Sequence, residues 1–419
     1  MLRTALAAAA LLAVALTSGG AAQPRAAVGG KRSPLLGLEL LAPDRATLVR
    51  MNPRTLRPRP GAKLRLGSAG GWAFSPDASL LAIGHSVGQV EDSADLGKLR
   101  TYLRLVDPAR LRITGELSVG RGSMTSAAWL GRDRIATVLQ SCCALSETLV
   151  LVDPSQRRVV ARRAVDPIGA QQGGSRLVVL EPTRDAISPV RLVVVDRTGP
   201  IRSVVLERIE GGGNVTGEGA EVSVDRIEPA LTVSPDGSRA LVISPGSLVA
   251  DVDLSTLTVA YHAVASRLHR PATANKRFEG AVRFADLLPN GLVAVTGYDV
   301  RPDDTYLPAG VRLLDPSSWT VRGIDAHADR VTVAGSALLA TRWARTGMGV
   351  TGYSFTGTRR FHLLGHRPAI VEQSFGTRAF VSIGDHPLRV LDVRKGRVVG
   401  RRNGNTFPWL LFPGAHTAF

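Results

Sequence analysis

One phrase recurs along the chain: an apolar strand ending in Val-Asp-Pro, a tight turn, and a second strand. Its fullest copy runs Tyr102-Leu-Arg-Leu-Val-Asp-Pro-Ala-Arg-Leu-Arg-Ile-Thr-Gly-Glu-Leu-Ser-Val-Gly120. Equivalent strand ends fall at Asn52, Asp107, Asp153, Asp196, Asp253, Asp315, Phe355 and Asp392. Their mean spacing is about 49 residues, close to the length of one four-stranded propeller blade. A repeat of this kind is a severe constraint, because one unit cannot bury its apolar face alone and has to stack on the next.

A second punctuation mark sits between the first and second strands of each unit. Trp72-Ala-Phe-Ser-Pro-Asp77 and Leu231-Thr-Val-Ser-Pro-Asp-Gly237 are nearly the same, and Trp129-Leu-Gly-Arg-Asp133 and Leu287-Leu-Pro-Asn-Gly291 are looser copies. Pro presets φ at the first corner, Asp hydrogen-bonds the nearby backbone, and Gly accepts positive φ. The recurrent Asp residues are therefore read as structural. With 44 Gly and 25 Pro, the chain reads as many short strands and turns, all-β.

The two ends complete the count. Residues 1–22 read as a secretory signal: Met1-Leu2-Arg3, an apolar run from Thr4 to Thr17, and small residues at Ser18-Gly-Gly-Ala-Ala22. Residues 23–34 form a flexible leader, and 35–419 the propeller domain. The unit from Leu36 to Gly67 lacks a first strand, whereas Thr406-Phe-Pro-Trp-Leu-Leu-Phe-Pro-Gly414 resembles a first strand with no unit behind it. Pairing tail with head closes the ring, giving eight four-stranded blades, with seven as the alternative because the unit around Phe355 is the most degenerate.

The Ser-Pro-Asp-Gly turn, the Arg-Ala-Leu-Val-Ile strand after it and the Val-Asp-Pro strand end resemble the secreted bacterial WD-like or YVTN-type β-propeller repeats. The resemblance covers nearly all of residues 35–414. It implies the fold and leaves function open, since such propellers include binding modules, lactonases, lyases and quinoprotein dehydrogenases. The Gly-His and Trp-Asp dipeptides of eukaryotic WD repeats are absent.

In a propeller, the second-to-third strand loops and the blade-to-blade loops share one face. The long insertions here fall almost wholly in those classes: Gly84–Arg100, Gln140–Thr148, Glu181–Pro189 and Gly297–Gly310, then Ile209–Pro229 and Ala265–Gly280. One decorated face points to a binding surface around the channel. Its candidates are His85, Glu91, Asp92, Cys142, Cys143, Arg184, His269, Arg270, Arg277, Tyr298, Asp299, Asp303, Asp304 and His386. The adjacent cysteines, the only two in the chain, are a vicinal disulfide or two free thiols. A vicinal pair occurs in eight-bladed quinoprotein alcohol dehydrogenases, but the repeated Trp and Gly docking pattern of their blades is missing. The acidic loops could offer oxygen ligands to Ca²⁺, although no calcium-loop spacing is present. Asn214-Val-Thr216 matches a glycosylation acceptor, which a bacterial origin makes moot.

A formal charge of +17 raises a polyanion partner. The basic residues are mostly single Arg scattered through strands and turns, so the charge is read as compositional, with no specific nucleic-acid partner. Neither a Gly-x-Ser-x-Gly elbow nor a His-Glu-x-x-His helix nor a phosphate loop is present. The expectation is an exported monomer without a membrane span or cofactor, secreted or held in the cell envelope. It would be a non-catalytic module binding a protein, peptide or anionic envelope polymer. The alternative is a propeller enzyme, a lactonase- or lyase-type hydrolase or a quinoprotein dehydrogenase, with Ca²⁺ or a quinone at the channel mouth. Inward carboxylates around one opening favour the enzyme; Arg, Tyr and small residues favour the binder.

Overall fold

The computed structural model describes residues 35–40, 45–53, 57–89, 93–141, 147–216, 223–264, 280–301, 305–342, 349–365, 367–384, 386–401 and 409–412. These are all β apart from one 3₁₀ turn, Ser93–Lys98, and no helix among them is long and apolar enough to cross a membrane. Their strands form six four-stranded sheets and one ten-stranded sheet.

The first sheet joins the two ends of the chain. β1 (Leu36–Leu40), β2 (Ala46–Met51) and β3 (Pro58–Gly67) run outward, and β34 (Trp409–Leu411) takes the innermost place against β1, with Leu36 opposite Leu411. The second comprises β4 (Trp72–Phe74), β5 (Leu81–Val87), β6 (Arg100–Asp107) and β7 (Arg112–Arg121). The third is β8 (Ser123–Trp129), β9 (Ile135–Gln140), β10 (Glu147–Asp153) and β11 (Arg158–Val165).

The ten-stranded sheet starts as β12 (Gly169–Gly173), β13 (Arg176–Pro182), β14 (Ser188–Val195) and β15 (Arg202–Thr216), then continues through β16 (Ser223–Glu228). A separate sheet follows in sequence: β17 (Ala230–Val233), β18 (Arg239–Ile243), β19 (Leu248–Asp253) and β20 (Val259–Ala263). The large sheet resumes at β21 (Gly280–Leu287), β22 (Val293–Val300), β24 (Val311–Asp315) and β25 (Thr320–Asp325), with β23 (Tyr306–Pro308) folded back on β22. The last two sheets are β26 (Arg330–Ala334), β27 (Ala337–Thr341), β28 (Val350–Ser354), β29 (Arg359–Leu363), and β30 (Ile370–Phe375), β31 (Arg378–Ile383), β32 (His386–Asp392), β33 (Arg397–Arg401).

The hydrophobic cores lie between sheets. Val178, Leu192 and Val194 pack on Val233, Val242 and Val252, and Leu338 and Tyr353 pack on Leu313 and Val311. Second and third strands are covered on both faces and read as nearly unbroken apolar runs, such as Leu177–Leu180 and Leu192–Val195. Outermost strands are covered less and alternate, as β11 does. Pairing, radial stacking and closure through β34 define a β-propeller.

Both turn types work as their chemistry predicts. Asp77 Oδ1 accepts the Ser79 N–H, and Asp253 Oδ1 accepts the Ser255 and Thr256 N–H groups at 2.8 and 2.9 Å. Hydroxyls add to this: Ser75 and Ser79 hold Asp77 down to about 2, and Ser155 with the Gln156 N–H does the same for Asp153. Many arginines stitch neighbouring sheets. Arg50 donates to the Ala109 carbonyl, Arg104 to that of Leu66, Arg202 to that of Leu254, and Arg163 pairs with Glu181 at 2.6 Å. Part of the basic composition is thus structural.

Candidate functional site

The decorated face differs from expectation at the segment Ile209–Pro229, read from sequence as a loop. It is a hairpin. β15 follows β14 as far as Gly211, then leaves it, and from Gly212 to Thr216 pairs with β16 instead. Gly212 has φ +113° and its position is filled by the Ala186 carbonyl, so a side chain cannot sit there. Asn214 Oδ1 accepts the Ile187 N–H at 2.9 Å, fastening the hairpin to the loop before β14. Asn214 is therefore an anchor in this fold.

β16 runs parallel to β21, Arg226 opposite Gly280 and Glu228 opposite Val282, and leads through Pro229 into β17. It places two charged residues beside the start of an innermost strand, at the channel mouth. Arg226 and Glu228 form an ion pair there, and burial pushes the Glu228 carboxyl up against the pull of Arg226.

Other ionisable groups converge on this place from separate elements. Burial, with the carboxylates of Asp185 and Glu181, raises Asp166, which follows β11; Arg226 opposes the shift. Glu147, the first residue of β10, is pushed up to about 7 by burial and by Asp166. Tyr298 near the end of β22 is raised by burial, by Glu228 and by Tyr306, whose ring meets its own edge-on at 5.2 Å. Burial lowers Arg330, the first residue of β26. Burial likewise raises Glu372 on β30, which accepts a hydrogen bond from Ser382 and feels Arg330. The result is a connected chain of carboxyl, guanidinium and phenol groups whose charged forms are poorly solvated. No trio of His, Cys, Asp and Glu side chains among the described residues is close enough to hold a metal ion.

Of the sequence candidates, Tyr298 belongs to this group. Its neighbour Asp299 points the other way and is buried, bonded at 2.7 Å to Arg283, which is itself buried. Asp299 thus serves a buried ion pair. His85 is half-buried in β5, 3.2 Å from Ser68 Oγ and tilted against Tyr102; burial and then Arg104 lower its pKa. Arg184 is exposed in the loop that Asn214 holds. His386 begins β32, but its side chain lies outside the described residues, as do Glu91, Asp92, Cys142, Cys143, His269, Arg270, Arg277, Asp303 and Asp304.

The residues that sequence reasoning missed are Glu147, Asp166, Arg226, Glu228, Arg330 and Glu372. Arg226 and Glu228 share β16 and Glu147 and Asp166 share the β10–β11 hairpin, but the set is spread over several units with no repeated spacing, so no motif marks them. The one usable signal is Arg226-Ile-Glu-Pro229, charged residues immediately before a repeat begins.

Comparison with known proteins supports the class. The dihydro-haem d1 dehydrogenase NirN, solved in complex with DHE, is similar over 94% of this chain and 79% of its own, with TM-score 0.56 and 13% identity. That likeness shows the β-propeller fold. Chaetomium thermophilum Sqt1 matches 81% of this chain and 86% of its own at TM-score 0.48 and 13% identity. The Myceliophteria thermophila Cps50 (Swd1) β-propeller domain matches 81% and 88% at 0.40 and 12%. No protein-family model matches the chain, and no curated protein does.

Proposed function

We propose that the protein is an exported propeller that binds a partner carrying cationic groups, a basic protein or peptide segment, at the channel mouth. The observation that carries this reading is the β15–β16 hairpin, which brings Arg226 and Glu228 to a mouth shared with Glu147, Asp166, Tyr298 and Glu372. Carboxyls whose ionisation is disfavoured gain when a cation arrives, because the opposite charge stabilises the form that burial opposes. Export rests on the apolar stretch Thr4–Thr17 and the small residues after it.

The ring has eight blades in this reading. Supporting it, the ten-stranded sheet contains two runs of four, β12–β15 and β21–β22–β24–β25, joined only by β16. The eight buried clusters of the described residues also each span two successive units, the last uniting Phe380 and Val390 with Val49 and Leu410.

The test is titration with a short lysine peptide at several pH values. Binding should weaken as pH falls below about 7, where Glu147 takes up a proton, and drop at least tenfold in Glu147→Gln/Asp166→Asn. Equal binding by both proteins at every pH would sink the assignment. A second reading has two specific supports: Glu147, Asp166, Glu228 and Glu372 put carboxyls around one mouth beside the Arg and Tyr groups that favour a binder, and a carboxyl titrating near neutrality suits general acid–base catalysis. If Glu147→Gln abolished lactone or uronate turnover while leaving substrate binding intact, the enzyme would be preferred.

A further inference from the structure

The basic charge is not spread evenly over the rim. The consecutive outermost strands β29, β33, β3, β7 and β11 carry twelve Lys and Arg against one acidic residue, Glu116. The remaining outermost strands, β15, β20 and β25, carry three basic residues and three acidic ones. The five belong to sheets that follow one another around the ring, through the cores that join β31 to β27, β32 to β2, β1 to β5 and β6 to β9.

Two ordinary explanations fall short. Sheet-stitching arginines are engaged with a neighbouring sheet, but Arg59, Lys63, Arg65, Arg158, Arg162 and Arg401 are exposed and form no ion pair among the described residues. Charges on edge strands also prevent edge-to-edge pairing, yet either sign does that, and β20 has no charged residue at all. One sign along one arc needs another reason.

We propose that this arc of the rim binds a flexible anionic polysaccharide, on a surface separate from the channel mouth. Rows of unpaired guanidinium groups on successive strands suit a chain of carboxylate or sulfate groups laid across them. The Arg162 guanidinium lies over Gly120 of β7, so positive charge continues across the gap between two sheets. Nucleic acid fits poorly. A duplex is stiff over about 50 nm and the rim is convex. Single strands need aromatic platforms, and the only aromatic ring of phenylalanine, tyrosine or tryptophan in the five strands is Phe361, packed against a core.

The test is binding to heparin across a salt series, with a single-stranded oligonucleotide of matched charge beside it. Arg59→Glu/Lys63→Glu/Arg65→Glu and, separately, Arg158→Glu/Arg162→Glu remove arc charges; Arg132→Glu/Arg208→Glu/Arg322→Glu reverses three exposed arginines outside the five strands. Each is first checked for an unchanged melting temperature. The arc variants should lose at least tenfold in heparin affinity near 0.15 M salt. The triple arc variant should also lower the slope of log K against log salt by about two, at roughly 0.7 per lost contact. The control should change the slope by less than one. Equal losses in arc and control variants would make the charge compositional and overturn the proposal. Tighter binding of the oligonucleotide through the same residues would overturn the choice of polysaccharide.

Discussion

Ending the chain at Pro408 should open the ring, and the structure sets the size of the effect. The change removes β34 and with it Leu410 and Leu411, both fully buried, and Phe412, 5% exposed. Leu411 belongs to the core shared with Trp72, Leu81 and Val106, whereas Leu410 and Phe412 belong to the core shared with Phe380 and Val390. One three-residue strand therefore supports two interfaces. At roughly 1.5–3 kcal/mol per buried side chain, their loss amounts to about 5–9 kcal/mol, before a discount of about a third for a compact unfolded chain. Further losses are the edge-on Phe375–Phe412 pair at 4.9 Å and both amide bonds of Gln373 to the Leu410 backbone, each 3.0 Å. A domain with about 5–15 kcal/mol in total does not survive this intact. The truncated chain should aggregate, because the inner edge of β1 is left unpaired. Size-exclusion chromatography with light scattering and near-ultraviolet circular dichroism read this directly. A synthetic peptide covering residues 405–419 should restore the monomer. A truncated protein that stays monomeric and melts within a few degrees of the full chain would refute the closure argument.

Three further outcomes are expected. The folded-state pKa of Glu147 is raised from 4.5 to about 7, so its burial is harmless in acid and opposes folding increasingly as pH rises through that window. Glu147→Gln should accordingly stabilise above pH 7, by up to about 3 kcal/mol, and leave stability at pH 4 unchanged; scanning fluorimetry across pH checks the crossover. Asp299→Ala removes the carboxylate bonded at 2.7 Å to the buried Arg283 and should cost about 3–5 kcal/mol, while Arg283→Met/Asp299→Leu recovers most of it in a denaturant double-mutant cycle. Asn214→Ala should free the hairpin without unfolding the ring, seen as faster proteolytic cleavage between residues 212 and 228 at an unchanged melting temperature.

The chain's repeat, its turn chemistry and its mismatched ends were legible without coordinates. A Val-Asp-Pro strand end and a Ser-Pro-Asp turn are local devices: Asp253 and Asp77 bond backbone groups two or three residues away, so sequence neighbours suffice to predict them. The pairing of the C-terminal strand with the first unit was legible for a different reason, because a missing strand at one end matched a spare strand at the other; the register, Leu36 opposite Leu411, came from the structure. Tertiary structure alone decided the site. Glu147 and Asp166 share the open end of one hairpin, but Glu228 and Glu372 come from distant segments, and each of the four is raised by burial, which depends on which sheets pack together. Neighbouring residues also separate: Tyr298 joins the mouth, whereas Asp299, one position on, is buried and pairs with Arg283. A strand sends successive side chains to opposite faces, and only the packing of the sheets says which face is the mouth.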